Sequence, residues 1–317
     1  MKRIYLLLLL CVCVALALAA CKKAAPTEYP TIEPVRVAGA QVYPTLTLAP
    51  PSFTQAPGTG STAAPGATPA LSQPTRITGA APLIALDAGH GGEDLGARHF
   101  NLQGEMDMHE STITLQIVLK IGRKLEALGY RVYYVRTDDS DPNMYERDVT
   151  GDGEITLRDV VQTRTDMVNE SGADLVLSVH LNAWDTQDEE LRRITGGTET
   201  YYCPDRPFGD RNLRFAQLVH QNILDALRKL GHEPSDRGVI IDHAPAYPGD
   251  PGHHLMLLGP KDEIIVRPSN MPGVLSEPVF ITCDKEAYLI ARDDAQEVIA
   301  DAYVAAIVQY FREYPVQ

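Results

Sequence analysis

The chain has 317 residues, a formal net charge of −14 at pH 7, 44% hydrophobic residues and a single Trp. This acidic balance argues against a nucleic-acid-binding protein, because neutralising phosphates requires clustered Lys and Arg. It also argues against binding to an anionic membrane through a basic patch. The charge is uneven, with +4 in residues 1–81 and −18 in residues 82–317. The two parts of the chain are therefore expected to have different roles.

The N-terminal segment predicts export. A short basic start, Met1–Arg3, precedes an apolar run from Ile4 to Ala20, and this run is short for a membrane-spanning helix, which needs about 20 residues. Small residues stand before Cys21, as at the cleavage point of a secretory signal, and the pattern resembles the bacterial lipobox, in which the Cys is diacylated. We predict a lipoprotein signal peptide over 1–20 and lipidation of Cys21, so that the chain is exported, lipid-anchored to the cell membrane and faces the cell envelope. The alternative is an uncleaved N-terminal anchor.

Residues 21–81 predict a disordered tether. Ten prolines lie between Pro26 and Pro74, with Thr, Ala, Gly and Ser among them and no apolar periodicity. Such a segment cannot bury enough surface to offset the loss of chain entropy. An extended, partly polyproline II linker follows, which gives the anchored domain reach.

The remaining residues, 82–317, alternate predicted strands and helices. Apolar runs predict strands, and helical spacing of apolar residues predicts helices. The strands are Leu83–Leu86, Arg131–Val135, Asp174–Val179, Thr198–Tyr202 and Val274–Glu277, and the helices span about 110–128, 157–171, 212–230 and 285–312. This alternation predicts one α/β domain with a sheet covered by helices.

Two histidines stand at the C-terminal ends of predicted strands. His90 follows Leu83–Leu86 through a Gly-rich loop, and His180 directly follows Val179. Open α/β sheets place their ligand sites outside these strand ends. Glu110 begins the helix after the first strand, and two His with one Glu form a catalytic zinc set that leaves one position for water. For each His taken alone, a surface or core histidine is the alternative interpretation.

Several motifs occur in an order that resembles the zinc-dependent N-acetylmuramoyl-L-alanine amidases of type 3. They are Asp87-Ala88-Gly89-His90-Gly91-Gly92, Glu110 with Leu115, Arg136-Thr137-Asp138, Arg164 with Asn169, Ser178-Val179-His180-Leu181-Asn182-Ala183, Gly197-Thr198-Glu199-Thr200-Tyr201-Tyr202, and Met271-Pro272-Gly273-Val274-Leu275-Ser276-Glu277 with Phe280. The resemblance covers nearly all of 82–317. It implies a mixed, largely parallel β-sheet flanked by helices on both faces.

The resemblance also implies an activity and its residues. His90, Glu110 and His180 match the family's zinc ligands, and Glu277 matches its catalytic glutamate. The implied reaction is hydrolysis of the amide between N-acetylmuramic acid and L-alanine in peptidoglycan. The resemblance is also compatible with a regulatory protein partner. Two alternatives are a non-catalytic lipoprotein that binds the wall or a partner, and a zinc peptidase or deacylase acting on another exported amide.

Other residues near the first strand compete for these roles. Glu105 is the rival carboxylate ligand, but Glu110 has the spacing to Leu115 and the helix start that the family shows. His99 and His109 are interpreted as loop histidines. Glu277 itself has the alternative of a surface-turn glutamate before Pro278.

An insertion over about 139–159 contains a twelve-residue calcium-loop pattern. Acidic residues at positions 1, 5 and 12, Gly at 6 and an aliphatic residue at 8 follow the logic of EF-hand loops, and the loop resembles that of a dockerin. The predicted calcium ligands are Asp148, Thr150, Asp152, Glu154 and Asp159. The alternative is a solvated acidic turn. We predict a structural Ca²⁺.

A second insertion, about 243–266, is rich in Pro and Gly and contains His253 and His254. Because it precedes the Glu277 strand, it could cover the zinc cleft as a lid or specificity loop. The two histidines are interpreted as residues of a surface loop in preference to additional metal ligands. Cys203 and Cys283 are the thiols beyond the N-terminal region, and their pairing stays open because it depends on the approach of their Cα atoms.

Overall fold

The computed structural model describes residues 80–144, 146–244 and 252–316. The predicted signal peptide, Cys21 and the predicted tether up to residue 79 lie outside these ranges. Within them, no helix combines the length and the apolarity needed to cross a membrane.

The fold is built on a six-stranded mixed sheet. Its strands are β1 (Leu83–Ala88), β4 (Arg131–Tyr134), β5 (Leu175–Val179), β6 (Thr198–Tyr202), β7 (Asp236–Ile241) and β8 (Gly273–Glu277), and a separate antiparallel pair is formed by β2 (Arg98–Phe100) and β3 (Met106–His109). The sheet order is β4-β1-β5-β8-β6-β7, and the β8–β6 pair is antiparallel while the other neighbours are parallel. The expectation of a mixed, largely parallel sheet is confirmed.

Helices cover both faces of this sheet. They are α1 (Glu110–Ala127), α2 (Leu157–Ser171), α3 (Glu189–Ile194), α4 (Gly209–Lys229), α5 (Asp284–Ile290) and α6 (Asp293–Glu313). The larger core cluster joins one face to α1, α4 and α6 through residues such as Ile117, Phe215 and Tyr303. A smaller cluster on the other face includes Val168 of α2 and Val176 of β5. All residues of β1 and β5 are buried, as expected for strands with both faces covered.

The structure corrects the prediction of one closing helix over 285–312. The chain forms α5 and α6 instead, and Arg292 between them is extended, with φ −77° and ψ 132°. Asp293 and Asp294 occupy the first turn of α6, where carboxylates favour a helix start because of the helix dipole. The apolar periodicity continues across this point, so the helix start that the acidic pair marks was not predicted.

His99 is another correction, because it is a buried strand residue and not a loop histidine. It lies in β2 with 2% of its surface exposed. Its two ring nitrogens contact Asp107 at 2.6 Å and Asp284 at 3.1 Å. The ring therefore ties the β2–β3 pair to α5, and two carboxylates satisfy its buried nitrogens.

The sheet topology decides where functional side chains can meet. β1, β5 and β8 are consecutive parallel neighbours, so their C-terminal ends lie at one edge of the sheet. Gly89 N donates to Val179 O at 2.9 Å, and His180 N donates to Ser276 O at 3.0 Å, which joins the three strand ends. This edge, with its crevice, is the usual ligand site of open α/β sheets.

Candidate functional site

The three side chains expected to bind a metal converge at this edge. His90 Nε2 lies 3.1 Å from Glu110 Oε2, and His180 Nδ1 lies 3.0 Å from Glu110 Oε1. One donor atom from each of the three residues lies within 4.8 Å of the others. Two imidazoles and a carboxylate at these separations fit a tetrahedral Zn²⁺, whose ligands lie about 2.0–2.2 Å from the ion.

Glu110 is held in place by the backbone around it. Its Oε1 accepts a hydrogen bond from Leu181 N at 2.9 Å, and its Oε2 accepts one from Ala97 N at 2.9 Å. Burial alone would raise the pKa of Glu110, but the hydrogen bonds with His180 and His90 lower it well below its usual range. The carboxylate is therefore ionised and oriented before any ion binds.

His90 is oriented by a second carboxylate, Asp94, which was not among the predicted site residues. Asp94 Oδ2 lies 2.8 Å from His90 Nδ1, which leaves Nε2 directed at Glu110. Such a partner fixes the tautomer and ring orientation of a metal-binding His. The signal available in the sequence was an acidic residue four positions after the histidine of a Gly-rich loop.

Two arginines fasten the loop that carries His90. Arg136 Nε donates to Ala88 O at 2.9 Å and its Nη2 donates to Gly89 O at 2.9 Å. Arg164 donates to Ala88 O at 2.8 Å and also to His90 O. His90 has a left-handed φ of 62°, a strained conformation for a residue with a Cβ, and these bonds hold it there.

Asp87 anchors Arg164 below the loop. Its Oδ1 accepts from Arg164 Nη1 at 2.6 Å and its Oδ2 accepts from the Ser178 hydroxyl at 2.7 Å. Burial would raise the pKa of Asp87, but the neighbouring Arg164 and His180 and these hydrogen bonds keep it below the usual value. The buried ion pair thus connects α2 to β1 directly beneath the candidate metal site.

Two glycines leave the space that the ligands occupy. A Cβ on Gly89 would lie 2.4 Å from the His180 ring. A Cβ on Gly96 would lie 2.6 Å from both Glu110 Oε2 and His90 Cδ2, and Gly96 has a positive φ of 66°. Side chains at these two positions would displace the ligands.

Glu277 ends β8 beside these ligands. It is partly buried, and its Oε2 atom is enclosed and has no hydrogen-bond partner among the described residues. Burial raises the pKa of Glu277 well above its usual value, and the charges of Glu110 and Glu199 raise it further. A carboxylate with a raised proton affinity next to a metal site is suited to accept a proton from water.

Glu199 is part of the motif Gly197–Tyr202, but no local pattern assigns it a role. In the antiparallel β6–β8 pair it stands directly opposite Glu277, so both side chains point to the same face. Asn182 Nδ2 at 2.6 Å and the Tyr201 hydroxyl at 2.5 Å donate to its Oε2, and Arg237 Nη1 lies 3.4 Å from its Oε1. Glu199 is thus fully hydrogen-bonded, whereas its neighbour Glu277 is not.

Glu105, the alternative carboxylate ligand, does not join the two histidines. Glu105 is exposed in the β2–β3 turn, where its Oε2 accepts a hydrogen bond from Asn101 at 3.2 Å. His109 is the last residue of β3, so the prediction of a loop position is wrong for this histidine too. Its Nδ1 contacts the Ser111 hydroxyl at 3.0 Å. Of the two glutamates, the geometry brings Glu110 to the histidines.

Three of the five residues predicted to bind calcium come together in the structure. The Thr150 hydroxyl lies 3.4 Å from Asp148 Oδ1 and 3.0 Å from Asp159 Oδ1, so oxygens of positions 1, 3 and 12 meet. Asp152, at position 5, is instead paired with Arg158, whose Nη1 lies 2.8 Å from Asp152 Oδ2.

Asp159 and Glu154, both predicted to bind calcium, make different contacts. Asp159 accepts backbone hydrogen bonds from Thr150 and Thr156, and these lower its pKa to about 2. Glu154 is exposed. Across the described ranges, the groups of three acidic, His or Cys donors that approach within 4.8 Å do not include this loop.

The second insertion does not place its histidines over the site. β6 and β7 run opposite to β8, so Cys203 and Asp242 at their C-terminal ends lie at the other edge of the sheet. His254 lies beside them, with Nδ1 3.6 Å from Cys203 Sγ. Residues 245–251 lie outside the described ranges. Cys203 and Cys283 are both buried and free, and no disulfide joins them.

The chain matches a known protein family. A family model described as Amidase_3, N-acetylmuramoyl-L-alanine amidase, matches residues 84–309. The germination-specific N-acetylmuramoyl-L-alanine amidase of Bacillus subtilis is 28% identical over 233 residues, which cover 73% of this chain and 80% of that protein.

Solved structures show the same fold. The N-acetylmuramoyl-L-alanine amidase from Clostridium difficile 630 is 26% identical with a TM-score of 0.51, and the match covers 73% of this chain and 97% of that one. The CwlD amidase from Clostridioides difficile, solved with the GerS lipoprotein, has a TM-score of 0.54 at 24% identity and covers 73% and 99%. Because the family model spans most of the sequence, the chain belongs to the Amidase_3 family of N-acetylmuramoyl-L-alanine amidases.

Proposed function

We propose that this chain hydrolyses the amide bond between the lactyl group of N-acetylmuramic acid and L-alanine in peptidoglycan. The observation that carries the proposal is the convergence of His90, Glu110 and His180 beside the enclosed carboxylate of Glu277. Membership of the amidase family supports the same bond. Cell-wall remodelling or degradation is the process that this reaction serves.

We further propose that the three ligands bind Zn²⁺. When bound, the ion lowers the pKa of water and polarises the amide carbonyl. Both histidines present a ring nitrogen to Glu110, and Asp94 and the Leu181 amide fix two of the three ligands. The donor set leaves a fourth tetrahedral position, as catalytic zinc sites do.

Glu277 is assigned the proton transfers. Its ionised carboxylate accepts the proton of the attacking water as the water oxygen bonds to the carbonyl carbon. The same carboxyl then donates that proton to the alanine nitrogen as the carbon–nitrogen bond breaks. Water is consumed, and the products are the carboxylate of the muramic acid lactyl group and the protonated amino group of L-alanine, which takes up the acid's proton.

A product assay tests this reaction. The full-length chain is incubated with intact peptidoglycan sacculi, with and without a zinc chelator, and the released fragments are analysed. Stem peptides that begin with a free L-alanine amino group are the expected product, and the chelator should abolish them. Release of intact muropeptides alone, or cleavage of a different amide, would overturn the proposal and favour another exported substrate.

The N-terminal region is proposed to hold the enzyme at the membrane. Cleavage before Cys21 and lipidation of its thiol would leave residues 21–81 as a tether that lets the catalytic domain 82–317 reach the wall from outside the cell. In a membrane fractionation, Cys21→Ser should move the chain from the membrane to the soluble fraction, whereas Cys283→Ser should not. Retention of Cys21→Ser at the membrane would favour an uncleaved anchor. A regulatory protein partner stays a prediction.

A structural Ca²⁺ in the loop 148–159 is proposed from its sequence pattern. The meeting of Asp148, Thr150 and Asp159 oxygens supports it, and binding requires Asp152 to leave Arg158. Millimolar calcium, which is enough for weak extracellular sites, should raise the Tm. Asp148→Asn should lose the shift and Asp166→Asn, outside the loop, should keep it. An unchanged Tm at millimolar calcium would contradict a calcium site in this loop.

A further inference from the structure

A second group of metal-binding side chains lies at the sheet edge opposite the candidate active site. Cys203 directly follows β6, and Asp242 directly follows its parallel neighbour β7. The backbone N–H of Asp242 donates to Tyr202 O at 2.9 Å, so the two strand ends are joined at this point. His180 and Glu277 lie at the other edge, because β6 runs antiparallel to β8.

The segments that follow these strands add three more donors. His243 and His254 come from the insertion, and Asp205 follows β6. Two overlapping groups have donor atoms within 4.8 Å of one another, and both contain His254: they are Cys203–Asp205–His254 and Asp242–His243–His254. The rings of His243 and His254 have centroids 4.5 Å apart.

Within each of the two groups, the separations are compatible with tetrahedral coordination. Zn–S and Zn–N bonds of about 2.3 and 2.0–2.1 Å place a sulfur and a nitrogen ligand about 3.6 Å apart. Cys203 Sγ and His254 Nδ1 are 3.6 Å apart. Asp242 carboxylate oxygens lie 3.0 Å from His254 Nδ1 and 3.2 Å from His243 Nδ1, close to the nitrogen–oxygen spacing of such a site.

Cys203, Asp242 and His254 are in mutual contact. His254 Nδ1 faces the Cys203 thiol and also both oxygens of Asp242, at 3.0 and 3.1 Å. One ring nitrogen carries at most one proton, so it can serve one of these neighbours as a donor. The Cys203 thiol can in turn donate to Asp242, and a cation that replaces these protons would be held by the same three groups.

Burial and the surrounding backbone also fit a preformed site. Cys203 is fully buried and Asp242 is 5% exposed, so the sheet closes one side. Arg206, whose charge lies near both of them, donates instead to the carbonyls of Leu258, Gly259 and Ser269. These bonds hold the segment after His254 against the core, where Leu257 is buried. The position of the histidine is thereby fixed without using the Arg206 N–H groups at the site.

We propose that Cys203, Asp242, His243 and His254 bind a second Zn²⁺, with a structural role. Sulfur and nitrogen donors favour zinc over Ca²⁺ or Mg²⁺, which prefer oxygen ligands. On binding, the thiol proton is released to solvent and a zinc–sulfur bond forms. Four protein ligands close the coordination sphere, as in structural sites, so that the ion ties the inserted segment to the ends of β6 and β7.

The thiolate ligand gives this site a spectroscopic signature that the candidate active site lacks. His90, Glu110 and His180 provide no sulfur, so a thiolate-to-cobalt charge-transfer band after Co²⁺ substitution reports a cysteine ligand, which the Cys203→Ser variant assigns. The experiment uses the full-length chain carrying His180→Ala, which removes a ligand of the first site. This variant is expected to retain one equivalent of Zn²⁺ or Co²⁺ and to show the band, whether or not the chain is an amidase.

Matched variants decide the assignment. Cys203→Ser and His254→Ala in this background should lose the metal and the band, whereas Cys283→Ser and His253→Ala should keep both. Circular dichroism checks the fold, and His254→Ala serves if the buried Cys203→Ser does not fold. A chelator should also lower the Tm of the His180→Ala chain. Absence of bound metal, metal without the band, or a band that survives Cys203→Ser overturns the proposal.

Discussion

Glu277→Gln is expected to lower kcat on peptidoglycan by about 10²–10⁴-fold, the usual contribution of a general base. The amide has the size of the carboxylate but cannot accept the proton of the attacking water. Zinc content should be unchanged, because His90, Glu110 and His180 remain. Turnover of sacculi and metal content per chain are the measurements.

The exposed Glu105 offers the matched control. Glu105→Gln is expected to keep wild-type turnover, because its side chain contacts Asn101 and lies outside the group of candidate metal ligands. A Glu277→Gln enzyme with wild-type turnover would show that another group accepts the proton. Equal losses in the two variants would point to a general effect of lowering the negative charge.

The same substitution should stabilise the metal-free protein at neutral pH. The pKa of Glu277 is raised above its usual 4.5 by burial and by the charges of Glu110 and Glu199. A carboxyl whose pKa is higher in the folded than in the unfolded chain favours folding below its unfolded pKa, and this contribution is lost as the pH rises through the folded pKa. The stability advantage of Glu277→Gln should therefore grow from about pH 4.5 upward in chelator-treated protein. A constant difference between the two proteins across this range would contradict the unfavourable burial of the ionised carboxylate.

Arg164→Met should cost about 3–5 kcal/mol of unfolding free energy, because removing one partner of a buried ion pair leaves the other charge uncompensated. Asp87 would keep its hydrogen bond from the Ser178 hydroxyl but lose the ion pair with the guanidinium. The carbonyl oxygens of Ala88 and His90 would each lose a hydrogen bond from Arg164. Denaturant unfolding of the metal-free chain at neutral pH measures the loss. Zinc affinity should fall by about 10–100-fold, as for other residues that orient metal ligands.

A surface ion pair provides the comparison. Arg214→Met removes the pair with Glu313, which is exposed, and should cost at most about 1 kcal/mol. The pKa of Asp87 lies below its usual 3.8 despite burial, because of Arg164, His180 and its hydrogen bonds, so its stabilising contribution is present above pH 3.8 and is lost as the pH falls through the folded pKa. The cost of Arg164→Met should shrink over the same acidic range. Equal losses for the two arginine variants would contradict the role given to the buried pair.

The sequence by itself determined the elements whose signals are local. The predicted span of α2 is the observed one, because Thr156 and Asp159 form a capping box at its start and Gly172 adopts the left-handed conformation at its end. The edge that carries His90 and His180 was also predictable, because an apolar strand precedes each histidine and parallel strands share one C-terminal edge. The break between α5 and α6 was readable in principle from Asp293 and Asp294, but the continuous apolar stripe concealed it.

Only the tertiary structure decided which distant residues meet. The antiparallel direction of β6 sets Glu199 opposite Glu277, and the same reversal sends Cys203 and Asp242 to the far edge, where His254 joins them. Local sequence patterns report the period and ends of an element, and they do not record the direction in which a strand enters the sheet. The direction of each strand is set when all six strands and the helices bury their apolar faces together. The sequence therefore indicated a metal-dependent amidase. The packing decided how Glu277, the carboxylate proposed to be catalytic, is surrounded and where the second candidate group of metal ligands lies.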